Sequence, residues 1–136
     1  MNKIIFLDFD GVLNIEHYQG LLQYQGKPWQ DEYGAFFDPK AVKQLKRIID
    51  ATDADIVVES SWKYLGLDAM KELWEVRNLQ RNSLWLSKYA KQDIRYVIIN
   101  DEYVILDSQL PHFILTNPYE GITEEQANRA ISMLNE

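Results

Sequence analysis

Two aspartates one residue apart, Asp8 and Asp10, followed at once by Gly11, end the apolar run Ile4-Ile5-Phe6-Leu7. Two further apolar runs end in equally polar stretches. Ala54 to Val58 leads into Glu59-Ser60-Ser61-Trp62-Lys63, and Tyr96-Val97-Ile98-Ile99 leads into Asn100-Asp101-Glu102. Carboxylates suit a hard cation, hydroxyls suit phosphate oxygens, and a cationic side chain offsets anionic charge; together they are the inventory of phosphoryl transfer. That chemistry requires the three stretches to meet. In an open α/β sheet they do so when their strands are neighbours, because ligands bind outside the carboxyl ends of the strands.

The elements that would position these residues follow from pattern. A short, continuous apolar run such as Ile4 to Leu7 predicts a strand buried on both faces. Residues from about 14 to 37 mix aromatics, including Tyr18, Tyr24, Trp29 and Tyr33, with glycines and Pro28 and show no clean period, which predicts an insert holding a short hairpin or helix. Asp38-Pro39 predicts a helix start, with Asp as N-cap and Pro at the first helical position. Val42, Leu45, Ile48 and Ile49 then share one face. Strand, insert, helix and the strand from Ala54 to Val58 form a parallel crossover. Stripes at Leu67, Met70, Leu73 and Trp74, and at Trp85, Leu86, Tyr89 and Ala90, predict two helices before the third strand, Tyr96 to Ile99. Phe113 to Thr116 is a later strand and Tyr103 to Leu106 a further candidate. Asn117-Pro118-Tyr119-Glu120-Gly121 is a turn, and Thr123-Glu124-Glu125-Gln126 is a capping box opening the last helix. The expectation is a three-layer, Rossmann-like α/β domain over residues 1–136, with a mostly parallel central sheet and a small insert.

Composition narrows the function. With 136 residues the chain is the size of one domain, and 46% hydrophobic residues are enough for a packed core. A net charge of -7 argues against a broad nucleic-acid surface, although a polynucleotide end can be gripped locally. The absence of cysteine excludes disulfides, thiolate zinc sites and a cysteine nucleophile. Asp8 and Asp10 interrupt the first apolar run before a signal peptide or membrane span could form, so no membrane partner is expected and the cytoplasm is the default location. There is no glycine-rich phosphate-loop or dinucleotide motif. His17 and His112 stand alone in predicted loops, without zinc-site spacing, which assigns them to surface or packing roles.

Ile4 through Asn14, IIFLDFDGVLN, resembles the first motif of the haloacid dehalogenase-like (HAD) superfamily, an apolar strand followed by Asp-x-Asp-Gly. The later order of a strand ending in Ser, a basic residue and a strand ending in acids is similar to that family as well. Ser60-Ser61-Trp62-Lys63 and the tail from Phe113 through Thr123 resemble a small-cap branch whose members include domains attached to RNA-repair proteins. This resemblance implies that Asp8 is a nucleophile forming an aspartyl-phosphate and that Asp10 is the acid and base, its backbone carbonyl helping to hold Mg2+. Gly11 would let the loop bend beside the phosphate. Ser60, with Ser61 second, would donate to a phosphoryl oxygen, and the metal would be shared by Asp8, Asp10, Asn100 and Asp101.

The chain departs from the family pattern at three places. Asn100 stands where an acid is usual; its carbonyl can ligate magnesium but adds no charge, so either metal affinity is weakened or Asp101 takes the site. The basic residue is Arg81 by position, with Arg77 behind it and Lys63 a third candidate. Glu59 replaces a small or hydroxyl residue and would repel phosphate unless turned away or paired. The expected activity is magnesium-dependent hydrolysis of a phosphomonoester, on a phosphorylated small molecule or a phosphorylated macromolecular end. A polynucleotide end phosphatase is a narrower form of that reading. A non-catalytic HAD-fold binding or regulatory protein is the alternative.

Overall fold

The computed structural model describes residues 2–32, 34–58, 84–85, 94–103 and 107–136. Its centre is a five-stranded sheet built from β1 (Asn2–Leu7), β4 (Asp55–Val58), β5 (Leu84–Trp85), β6 (Ile94–Asn100) and β7 (Phe113–Leu115). The strand order is β5-β4-β1-β6-β7, and every pairing is parallel. From β1 the chain builds outward to β4 and β5, then returns to add β6 and β7 on the other side. This reversal places a topological switch point at the carboxyl end of β1, where an α/β sheet forms its ligand crevice. Leu7 is in register with Val58 on one side and Ile99 on the other, so the chain leaves β1 between its two neighbours.

Helices α2 (Pro39–Thr52) and α3 (Glu124–Asn135) pack against each other on one face of the sheet. Both begin as their sequences require. Asp38 caps α2 by accepting from the Lys40 N–H at 3.1 Å, ahead of Pro39 at the first helical position. Thr123 and Gln126 cap α3 reciprocally at 3.2 and 3.1 Å. Val42, Leu45, Ile48 and Ile49 of α2 join Ile5, Leu7, Val97 and Ile99 of the sheet in one core, with Ala127, Ala130 and Leu134 from α3. Ile4 and Val57, which point to the opposite face, are buried too, so the sheet is covered on both sides. The fold is α/β and Rossmann-like.

The insert contains both a helix and a hairpin: α1 (Glu16–Tyr24), then β2 (Gln30–Asp31) paired antiparallel with β3 (Gly34–Ala35). His17 therefore lies in the first turn of a helix, not in a loop. Ile15 occupies the N-cap of α1 without any side-chain cap. The amides of Glu16 and His17 donate instead to the Pro118 and Tyr119 carbonyls, at 3.1 and 3.2 Å. A turn more than 100 residues away thus supplies what a capping side chain would. Two other expectations change. Trp85 lies in β5, an edge strand paired with β4, and not on a helical stripe. Tyr103 is outside any strand, the rest of that candidate (104–106) lies outside the described residues, and a 3-10 segment, Asp107–His112, leads into β7. The expected helix around 67–74 lies outside the described residues.

Candidate active site

Asp8 is the first residue beyond β1. Its N–H donates to the Ile99 carbonyl at 3.1 Å, continuing the parallel ladder by one bond, so its carboxyl opens at the switch point. Phe9 turns inward, fully buried, and packs on Phe37 with ring centroids 5.2 Å apart. Extended residues alternate in direction, so a buried Phe9 puts Asp8 and Asp10 on the opposite side from the core. The loop then closes tightly. The Phe9 carbonyl receives the amides of Val12, Leu13 and Asn14 at 3.1, 2.9 and 3.3 Å, and the Gly11 N–H reaches the Asn14 carbonyl at 3.0 Å.

Gly11 adopts φ +78°, a left-handed conformation that glycine tolerates at least cost. It has a second reason to be glycine, because a Cβ there would run into the Asp101 carboxyl group. Asp101 enters from the end of β6 and brings its carboxyl beside Gly11 and into interaction with Asp8. Partial burial, then the charge of Asp101, push the Asp8 carboxyl from 3.8 up to about 7; Asp10 and the Asp101 hydrogen bond add to the rise, while the Phe9 N–H, 2.9 Å from Asp8 Oδ1, opposes it. Asn100 takes a different part. Its Oδ1 accepts from the Glu102 N–H at 2.9 Å and its backbone carbonyl from the Thr116 N–H at 2.9 Å, so it shapes the turn that presents Asp101.

Compared with known protein families, the model for the HAD domain in Swiss Army Knife RNA repair proteins matches residues 4–77, more than half of the 136-residue chain. The chain belongs to this family. By kind it is a HAD-type hydrolase domain. No curated protein and no solved structure matched it.

HAD-type sites use Mg2+, and the donors present fit that ion. Among the described residues no three or more His, Cys, Asp or Glu side chains gather as a metal cluster. What the HAD domain brings together is a pair of carboxylates, Asp8 and Asp101, and among the described residues the charged groups that perturb Asp8 are carboxylates. A close carboxylate pair suits an ion that takes one or two carboxylates and completes its shell with water. Ser60, Ser61, Lys63 and Arg81, with Glu59 and Arg77, lie outside the described residues. Asp8, Asp10, Gly11, Asn100 and Asp101 meet at one end of the sheet.

The HAD loop has supports that sequence reasoning missed. The buried Thr116 hydroxyl, just past β7, donates to the Gly11 carbonyl at 2.8 Å. The Ile122 N–H reaches the Val12 carbonyl at 3.1 Å, and the Asp38 N–H reaches the Leu13 carbonyl at 2.7 Å. Gly121, with φ +71°, lies where a Cβ would strike Ile15 and the Val12 carbonyl. Asn14 holds Asp10 Oδ1 through its Nδ2, at 2.8 Å. Thr116 had one readable signal, a polar residue ending an apolar run as Asp8 and Asn100 do. Asn14 had none beyond its place four residues after Asp10. His112 stacks on Tyr96 at 4.2 Å, and His17 meets the Tyr119 hydroxyl at 3.1 Å. Among the described residues, no helix is long and apolar enough to cross a membrane.

Proposed function

We propose that this HAD domain is a magnesium-dependent phosphomonoesterase with Asp8 as nucleophile and Asp10 as general acid and base. The observation that carries the reading is the convergence of Asp8 and Asp101 at the switch point, against a glycine whose missing side chain makes room for them. An Asp8 carboxylate oxygen attacks phosphorus while the ester P–O bond breaks, and Asp10 gives its proton to the departing oxygen. Asp10, now ionised, takes a proton from water as that water attacks phosphorus. The bond to Asp8 breaks and inorganic phosphate leaves. Magnesium, which Asp8, Asp101 and the Asp10 carbonyl would hold with Asn100 as a neutral further donor, supplies positive charge that offsets repulsion between carboxylate and phosphate. In this reading Ser60 or Ser61 contacts a phosphoryl oxygen, and Arg81 or Lys63 adds the cationic contact.

A phosphorylated RNA end is the substrate class this reading favours, and two observations support it. The matched family is described from RNA repair proteins. Away from its buried face α2 carries Lys40, Lys43, Lys46 and Arg47, four cations within eight residues of a chain whose net charge is -7, with Arg47 also bonded to Gln44 and to Asn128 of α3. Lys43, Lys46 and Arg47 line a groove of about 470 Å³ with Phe37, Pro39, Val42 and Asp50, and Phe37 is the ring that packs on Phe9. Such a stripe can hold a few phosphates of a strand without a broad basic surface. The test is a panel of phosphorylated metabolites and end-phosphorylated oligonucleotides, assayed with and without Mg2+, for wild type and Asp8→Asn. Phosphate release that needs both the metal and Asp8 is the expected result. Metal-dependent release that survives Asp8→Asn would overturn the mechanism, and oligonucleotide ends turned over no better than metabolites would overturn the substrate class.

A further inference from the structure

We propose that Asn14 is a positioning residue that aims the Asp10 carboxylate, a role that rests on the acid and base assignment above. Its Nδ2 donates to Asp10 Oδ1 at 2.8 Å. Its backbone is fixed on both sides, the N–H to the Phe9 carbonyl at 3.3 Å and the carbonyl to the Gly11 N–H at 3.0 Å. The neighbours Leu13 and Ile15 are buried and anchor the chain on either side of it. The other end of the amide is the informative one. Asn14 Oδ1 is buried and, among the described residues, has no hydrogen-bond partner.

A buried carbonyl without a partner costs stability, and native structures keep few of them. Rotating the amide by half a turn would not help, because it would set Oδ1 against the Asp10 carboxylate and lose the donor. The amide is therefore held with its donor toward Asp10 at the expense of its acceptor. Asp10 is exposed and its other oxygen has no hydrogen bond among the described residues. Tying Oδ1 to Asn14 fixes the carboxylate plane and leaves Oδ2 as the oxygen that exchanges a proton with the leaving group. Misaimed general acids lose rate most where the leaving group is a poor one, since proton donation then matters most.

The experiment measures kcat/KM with Mg2+ for a series of phosphate monoesters, from nitrophenyl to alkyl, in Asn14→Leu and Asn14→Asp. Each is made in the wild-type and the Asp10→Ala backgrounds, and folding is checked by thermal melting. Asn14→Leu should steepen the dependence on leaving-group basicity. The expected loss is about 10- to 100-fold on the alkyl ester and less than about 3-fold on the nitrophenyl ester, with kcat falling more than KM rises. Asn14→Asp, which nearly keeps the shape but sets a carboxylate against Asp10, should lose at least as much and keeps the test open if the leucine variant does not fold. In the Asp10→Ala background neither substitution should cost anything further. A uniform loss across all leaving groups, or the same loss with and without Asp10, would make Asn14 a purely structural residue. If Asp10→Ala itself leaves the alkyl ester at the wild-type rate, the acid and base assignment falls and the positioning role falls with it.

Discussion

The loop from Asp8 to Asn14 and the insert that follows it are adjacent in sequence and built to opposite standards. In the loop, Phe9, Gly11, Val12 and Leu13 are buried, one carbonyl gathers three amides, and bonds arrive from Asp38, Thr116 and Ile122. In the insert, α1 buries only Leu22 along its length, leaves Tyr24 91% exposed and Leu21 41% exposed, and is followed by strands of two residues each. The difference shows where geometry is fixed. A reacting centre misplaced by about 1 Å can lose about 10²-fold in rate, so the loop is over-determined from several directions. The insert needs only to stay attached.

The sharpest break in that contrast should come from Gly11→Ala. It forces a side chain into a left-handed position and drives Asp101 off Asp8, so turnover should drop by about 10²-fold or more while the protein still melts cooperatively. A thermal melt within a few degrees of wild type combined with undiminished activity would show that Asp101 is not needed where it lies. Thr116→Val keeps the shape of the side chain and strips the donor from the buried Gly11 carbonyl. Stability should fall by about 1 to 3 kcal/mol in urea titration, with activity falling alongside. An unchanged midpoint would mean that the loop holds itself without the brace.

A smaller effect follows from the Asp8 carboxyl, whose value in the folded protein, about 7, lies above 3.8 in the unfolded chain. Below pH 4 both states carry the proton and nothing is lost. As pH rises the unfolded chain releases it first, so the fold loses this contribution progressively until about pH 7. In metal-free protein, Asp8→Asn should therefore equal wild type near pH 4 and exceed it at pH 8. Screening by water at a half-exposed group limits the gain to about 1 kcal/mol. Equal pH profiles would mean that Asp8 and Asp101 do not confront each other. The smallest change belongs to the insert: Tyr24→Ser should move stability by no more than about 0.5 kcal/mol and leave hydrolysis of a nitrophenyl phosphate unchanged.

Features legible in the sequence were those with a local cause. Asp38-Pro39 and Thr123 to Gln126 announce helix starts because a cap and its amides lie within four residues of each other. The ends of β1 and β6 announce themselves because an apolar run stops at carboxylates. Leu84–Trp85 did not, since two residues of edge strand carry no period that could outweigh the helical spacing of Trp85, Leu86, Tyr89 and Ala90. The start of α1 was illegible for a different reason: its amides are satisfied by Pro118 and Tyr119, so no capping side chain was required at Ile15. The same holds for the site. Asp8 and Asp10 stood out through the apolar run before them and the glycine after them, whereas Thr116 showed only a polar end to an apolar run and nothing near it pointed to Gly11 as its partner.

That tie joins residues 105 positions apart, and the family match ends at residue 77, well before Thr116. Closing so long a loop costs only slightly more entropy than closing a moderate one, but it has to wait for the chain to exist. During synthesis Asp8, Asp10 and Gly11 are made well before Thr116, and Gly11 stays without that lock until β7 and the turn after it have been made. Until then the loop that carries Asp8 lacks its brace from Thr116. β7 therefore acts as a timer, setting when on the ribosome the Asp8 loop can first take its braced form.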